Sequence, residues 1–448
     1  MSDSDREPRW TARFVAVLAM VALAAAAFAI AFRGALTLAL EGIAGASNVV
    51  TAMTGADWWW RLSIPVGGAF VAGVLALALA KRSGGGVGDV MEAVALGRVK
   101  LSLSTTLVKS LASWAAIVTG GSLGREGPLI QFGGAAGQSI GAWFQITETQ
   151  QRVLIAAGTA AGFAAAYNTP LAAMAFVLEV VTGIVVIDTV VPALVAVVIA
   201  TALTRAVVGA GPIYGQHAFV VTSSGELAAF AGVAVVATIA AFGFTRFVML
   251  GERAFGRPWL RAPWRQALGG LGAGAIIVFV PAVAGNGFEP LQSILDGRTG
   301  VKMIAILLVA KWLATTSSVA SGSPGGIFTP ILLIGGCAGY LVGAGLLAAG
   351  LDVGPPGGYA LVGMAAAIAA ATHAPFMAAI LCFELSGDYA VVLPLVLATA
   401  IATAFARTLG RDSIYTAELR ARGVAWQPTI NASSSTVRAR AATADPET

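Results

Sequence analysis

Charge is scarce in this chain. Lys, Arg, Asp and Glu make up 11% of its 448 residues while hydrophobic types make up 57%; an average soluble domain is about a quarter charged. That shortage excludes an ordinary soluble enzyme, and the apolar excess excludes a disordered chain. Histidine is nearly absent: His217 and His373 lie far apart, with no HExxH or facial-triad spacing, so no metal site is expected. The two cysteines, Cys337 and Cys382, sit in apolar segments without CxxC spacing. They are expected to be small buried hydrophobes, not a disulfide. Also missing is a nucleophile with its base, or a set of acidic metal ligands, converging at one depth as an intramembrane enzyme would need. The chain is therefore read as a non-enzyme that needs no cofactor.

What is present is long apolar sequence. Runs at 14–32, 64–80, 171–202, 226–245 and 376–405 are long enough to cross hydrocarbon, and others are short and broken by Gly or Pro. An all-α polytopic membrane protein follows, with lipid as its solvent. The first run resembles a signal peptide in its flanking arginines and small residues, but its length and the many similar segments favour an uncleaved helix. Basic residues collect in the N-terminal arm, at Lys81, Arg82, Arg98 and Lys100, between Arg253 and Arg265, and at Arg407, Arg411, Arg420 and Arg422. The positive-inside bias puts these loops and both termini in the cytoplasm. The net charge of +5 is dispersed, which argues against nucleic-acid binding. The tryptophans at 58–60 read as an interfacial belt. The expected division is a cytoplasmic arm at 1–12, membrane halves at 13–210 and 211–420, and a polar, disordered cytoplasmic tail at 421–448.

The two halves match each other. With Pro128 placed on Pro330, "GGSLGREGPLIQFGGAAGQSIG" lies without gaps on "GSPGGIFTPILLIGGCAGYLVG", and Lys109 falls on Lys311. A slightly longer offset pairs Gly158, Pro170 and Glu179 with Gly363, Pro375 and Glu384. An internal duplication accounts for so many Gly and Pro coincidences in order. Paired Gly/Pro-interrupted segments in two membrane halves point to broken helices whose ends line a site near the midplane.

In each copy a glycine run precedes a proline suited to a first helical turn. The glycines expose backbone N–H groups at the positive end of the helix dipole, making an anion site from partial charges that allow release as well as binding. Close helix packing is the other role such glycines play in membranes. Glu126, two residues before Pro128, stands at the mouth of that end, where its carboxylate can take an anion's place and leave on protonation. The alternative is a static ion pair with Arg125, which could instead satisfy carbonyls or snorkel.

"GREGP" at 124–128 and "GGIFTP" at 325–330 resemble the signatures of the CLC family of chloride channels and chloride/proton antiporters, and the resemblance covers roughly residues 13–420. It implies a CLC-type inverted repeat of broken and tilted helices, a homodimer with one anion pathway per subunit, bound chloride, and chloride and protons as the transported species. A prokaryotic inner membrane is the expected location. By position Glu126 resembles the external gate and proton acceptor, the N–H groups of Ile327 and Phe328 resemble the central anion donors, and Tyr415 resembles the tyrosine that completes that site. Gly86, Arg125, Gly127 and Gly326 join the expected anion-binding set. An uncoupled channel, or a transporter of another anion such as fluoride or nitrate, is the alternative.

Two positions depart from the family pattern. The first motif, usually GSGIP, is "GGGVG" at 84–88, so Gly85 replaces a serine and its hydroxyl donor is lost. At the internal proton position stands Val180, with Glu179 beside it as the candidate to carry the proton instead; Glu179 pairs with Glu384 in the repeat, which favours structural carboxylates near helix ends or the dimer interface. Restoring the hydroxyl with Gly85→Ser is expected to strengthen chloride binding relative to larger anions, by about 1 kcal/mol for one hydrogen bond, read by anion-binding calorimetry.

Overall fold

The computed structural model describes residues 10–77, 86–97, 99–183, 187–221, 225–410, 412–424 and 426. Gly85, Lys81, Arg82, Arg98, Arg411 and most of the two terminal segments therefore lie outside the described residues.

The described residues form helices and connecting loops. The first set is α1 (Ala12–Ala44), α2 (Val49–Gly55), α3 (Trp58–Leu77), α4 (Val87–Leu96), α5 (Leu103–Val118), α6 (Glu126–Trp143), α7 (Glu148–Tyr167), α8 (Pro170–Phe176) continued by a π-helical turn over Val177–Thr182, and α9 (Ile187–Val208). The second is α10 (Glu226–Phe255), α11 (Trp264–Phe279), a 3₁₀ turn, α12 (Phe288–Leu295), α13 (Val301–Ala320), α14 (Phe328–Ala348), α15 (Pro356–Thr372), α16 (Pro375–Ser386), α17 (Val392–Leu409) and a final α18 (Ile414–Ala421). From α5 to α9 and from α13 to α17 the two sets run element for element. Seven helical stretches among the described residues are long and apolar enough to span a bilayer.

Local sequence sets the boundaries. Thr11, Ser102, Thr147 and Ser413 each accept an N–H from the first turn of the helix that follows, as N-caps do. Asn168 and His373, equivalent in the repeat, close α7 and α15 in the left-handed region at φ 56° and 58°, and the prolines at 170 and 375 start the next helices. His373 thus ends a helix. Two apolar runs read as continuous are also broken. The run at 171–202 turns at Gly183 (φ 70°), and that at 376–405 turns at Gly387 (φ 68°). Hydropathy does not register one glycine at a C′ position in an apolar context.

Two helix pairs form the interior. α6 packs on α7 and α14 on α15 so closely that a Cβ on Gly133 would overlap the carbonyl of Gly158, and one on Gly335 would overlap that of Gly363. Such approach lets backbones meet where lipid offers no hydrophobic drive between helices. The glycines downstream of each motif therefore serve packing, whereas Gly127, just before Pro128, does not: a Cβ there meets nothing within 4 Å. α1 lies against α6, α7 and α9 with Phe14, Leu18, Val21 and Ala26 buried, as a retained helix would. The tryptophans Trp58, Trp59 and Trp60 are exposed at the start of α3, and both cysteines are buried and free. Gly133→Ala is expected to destabilise the fold by about 3 kcal/mol through overpacking and Gly127→Ala to leave stability nearly unchanged, a contrast read by thermal unfolding in detergent.

Candidate anion site

The two repeats meet at their signature loops. Gly124 and Gly326, equivalent residues, form an antiparallel bridge: the Gly124 N–H donates to the Gly326 carbonyl at 2.7 Å and the reverse bond is 2.8 Å. Behind it, Ser122 Oγ and Thr315 Oγ1 lie 2.8 Å apart, and the Ser122 N–H donates to Ser318 Oγ. α6 starts two residues after Gly124 and α14 two residues after Gly326. Two helix N-termini, each with unpaired N–H groups and partial positive charge, are therefore fixed side by side.

Glu126 is the first residue of α6 and is 2% exposed. Its carboxylate crosses the bridge to the other helix, where Oε1 accepts from the hydroxyl of Thr329 in the first turn of α14. Thr329 Oγ1 in turn lies 3.0 Å from the hydroxyl of Tyr167, at the end of α7. Oε2 has no hydrogen-bond partner and lies against Gly124, where a Cβ would collide with it. The carboxylate faces the first turn of α14, the place an anion would take at a helix start.

Glu126 lines a cavity of about 330 Å³ shared with Gly86, Gly127, Gly326, Ile327, Phe328 and Tyr415. The structure thus brings these expected site residues together around one space. Gly326 contributes backbone approach, because its N–H is engaged by Gly124; Ile327 and Phe328, at the N-terminus of α14, keep theirs free among the described residues. Arg125 faces elsewhere. It lines a separate cavity of about 120 Å³ with Arg33, Asn286 and Glu289, and among the described residues it makes no ion pair with Glu126. Arg125, expected among the anion-binding residues, thus lines a neighbouring chamber rather than the Glu126 cavity.

The far end of the Glu126 cavity is charged. Lys109, Glu252 and Glu418 line it, and Arg422 pairs with both Asp89 and Glu418. Glu418 fills the room left by the motif departure, since a Cβ on Gly86 or Gly88 would come within 3.2 or 3.1 Å of its carboxylate. Lys311, the repeat partner of Lys109, is fully buried and donates to the carbonyls of Val283 (3.1 Å) and Gly285 (2.9 Å), which ties α13 to the turn before α12.

Glu179 and Glu384 form a reciprocal clasp. Glu179 accepts from the N–H groups of Phe376 (3.2 Å) and Met377 (2.7 Å) at the start of α16; Glu384 accepts from Leu171 (3.0 Å) and Ala172 (2.8 Å) at the start of α8. Each carboxylate caps the opposite repeat's broken helix, where the dipole favours negative charge. Val180 is buried in the π-helical turn and offers no titratable group.

Residues 67–407 match the family described as voltage gated chloride channel. The chain belongs to the CLC family. It is 36% identical over 408 residues to a putative ClcB-like chloride channel protein of Ralstonia nicotianae, covering 90% of this chain and 95% of that one. It is 35% identical over 402 residues to the voltage-gated ClC-type chloride channel ClcB of Escherichia coli O81, covering 87% and 95%. The fold superposes on that of a slow cyanobacterial Cl⁻/H⁺ antiporter with a TM-score of 0.80 at 24% identity, covering 92% of this chain and 99% of that one. A CLC-type fluoride/proton antiporter gives 0.73 at 20%, covering 91% and 98%. The protein is an integral membrane protein of CLC-type chloride transport with the inverted-repeat fold.

Sequence reasoning found Glu126, Ile327, Phe328 and Tyr415 but missed Thr329, Tyr167 and Glu418. The signal for the first two was in the text of the motifs, "GGIFTP" and "AYNTP", yet only the fold shows that the Thr329 hydroxyl meets Glu126 and the Tyr167 hydroxyl meets Thr329. Glu179→Gln is expected to lower stability by about 2 kcal/mol, the scale of hydrogen bonds to a charged group, while any proton movement driven by chloride persists; thermal unfolding and paired flux measurements check the two halves.

Proposed function

We propose that this protein exchanges chloride for protons across a prokaryotic plasma membrane, with Glu126 as gate and proton acceptor. The observation that carries this is the seat of the Glu126 carboxylate across the Gly124–Gly326 bridge, on the first turn of α14. A negative carboxylate in that seat excludes an anion; once protonated it loses its attraction to the helix end and can leave, and chloride can enter beside the free N–H groups of Ile327 and Phe328. Gate and substrate thus compete for one place, and each exchange moves a proton with the carboxylate.

The proton's other end is less conventional. With valine at 180, the cavity itself is the route, because it joins Glu126 to a mouth carrying Glu418 and Glu252 and its polar lining can hold water. A passive chloride channel is the second reading, favoured by that same valine. The two membrane halves at 13–210 and 211–420 surround the site, both termini face the cytoplasm by the positive-inside bias, and the chain works as a homodimer. The dimer is supported by the apolar outer residues of α8, α9, α16 and α17, including Leu171, Ile187, Phe376 and Leu393, all strongly exposed in the single chain.

Paired flux in liposomes tests the reading. In wild type, an imposed chloride gradient is expected to drive protons uphill, and chloride flux is expected to rise as pH falls and Glu126 becomes neutral. Glu126→Gln should keep chloride flux, lose its pH dependence and move no protons. Chloride flux without proton movement under any gradient would replace the antiporter with the channel.

A further inference from the structure

The family pattern's hydroxyl donor is lost at Gly85, yet a different hydroxyl stands at the anion's place. We propose that Thr329, backed by Tyr167, is the side-chain donor of this pathway: it holds the Glu126 carboxylate while the gate is seated and turns to the anion once the gate has left. The inference rests on Glu126 being the gate.

Donor counting fixes the direction of the chain. An ionised carboxylate has no proton to give, so Thr329 must donate its single proton to Oε1 of Glu126. Tyr167 must then donate to Thr329 Oγ1 across the 3.0 Å contact. The tyrosine ring is packed against Phe163, with ring centres 5.1 Å apart, and Phe328 at 5.7 Å, and among the described residues its hydroxyl contact is with Thr329. All three residues are buried, so water does not interrupt the series, and a donor that is itself hydrogen-bonded is the stronger for it. This order suits a carboxylate and opposes a proton on Oε1. Protonation therefore falls on Oε2, the oxygen left without a partner beside Gly124 and Gly326.

The carboxylate oxygen at Thr329 stands in for the anion. When Glu126 leaves, the hydroxyl faces the volume that Oε1 occupied, near the N–H groups of Ile327 and Phe328, and its proton is free for chloride. Tyr415 lies on the wall of the same cavity. The hydroxyl missing from the 84–88 loop is thus supplied from the first turn of α14.

The test follows chloride flux against pH in full-length protein in vesicles, together with chloride calorimetry in detergent. Removing a donor from the ionised form makes protonation easier, so Thr329→Val should move the midpoint of the pH dependence up by about one pH unit. Thr329→Ser should restore it, and Tyr167→Phe, which keeps the ring, should move it the same way by less. In a Glu126→Ala background, where no gate competes, adding Thr329→Val should weaken chloride binding roughly fivefold. A wild-type profile that Glu126→Gln leaves intact overturns the gate reading itself. A Glu126-dependent profile that neither Thr329→Val nor Tyr167→Phe displaces overturns the hydroxyl relay. Unchanged chloride binding in the double variant overturns the anion role. Should Thr329→Val fail to fold, Tyr167→Phe carries the pH test and Thr329→Ala the binding test.

Discussion

Two helices that start side by side repel one another through their first turns, and the bond pair between Gly124 and Gly326 holds them there regardless. Each contributes unpaired N–H groups and about half a positive charge. In a low-dielectric interior that concentration demands a negative partner, and only two are on hand: the Glu126 carboxylate or an anion from solution. Everything else in the fold maintains this pairing. The glycine contacts of α6 on α7 and α14 on α15 set the helix directions, and the serine and threonine hydroxyls behind the bridge fix the loops. The arrangement works without a lysine at the centre, so whatever sits between the helices is held by partial charges and can be exchanged.

Several buried charges away from the pathway are matched within the protein, as a membrane interior favours. Lys311 is surrounded by carbonyl oxygens, Glu226 accepts from the Gly354 N–H and the Tyr359 hydroxyl, and Glu179 and Glu384 each cap a broken helix in the opposite repeat. Two buried polar atoms stand out against that pattern by lying at the pathway: Oε2 of Glu126, which has no partner, and the Thr329 hydroxyl, whose partner is the gate itself.

Much of this was legible in the sequence because the physics is local. Proline after a glycine run reads as a helix start in each copy, and the helices begin two residues before Pro128 and Pro330. Asn168 and His373 were invisible as helix ends, since a single left-handed residue leaves no mark on hydropathy. Arg125 stands apart from Glu126 for a different reason: neighbours at a helix start point apart, so adjacency to Glu126 said nothing about which cavity the guanidinium faces. Glu418 and Tyr167 were missed because each approaches the site from an element distant in sequence, and one chain read in one dimension cannot show which side chain meets a vacancy left by Gly86 and Gly88.

The redistribution of hydroxyls bears on coupling itself. With glycine at 85 and threonine at 329, one donor would serve both states of the proposed cycle. What shifts the balance is the proton on Oε2, because it alone distinguishes the two occupants. A site built this way resists slippage for a chemical reason: chloride and carboxylate cannot use one hydroxyl proton at once, so neither needs a second gate to exclude the other.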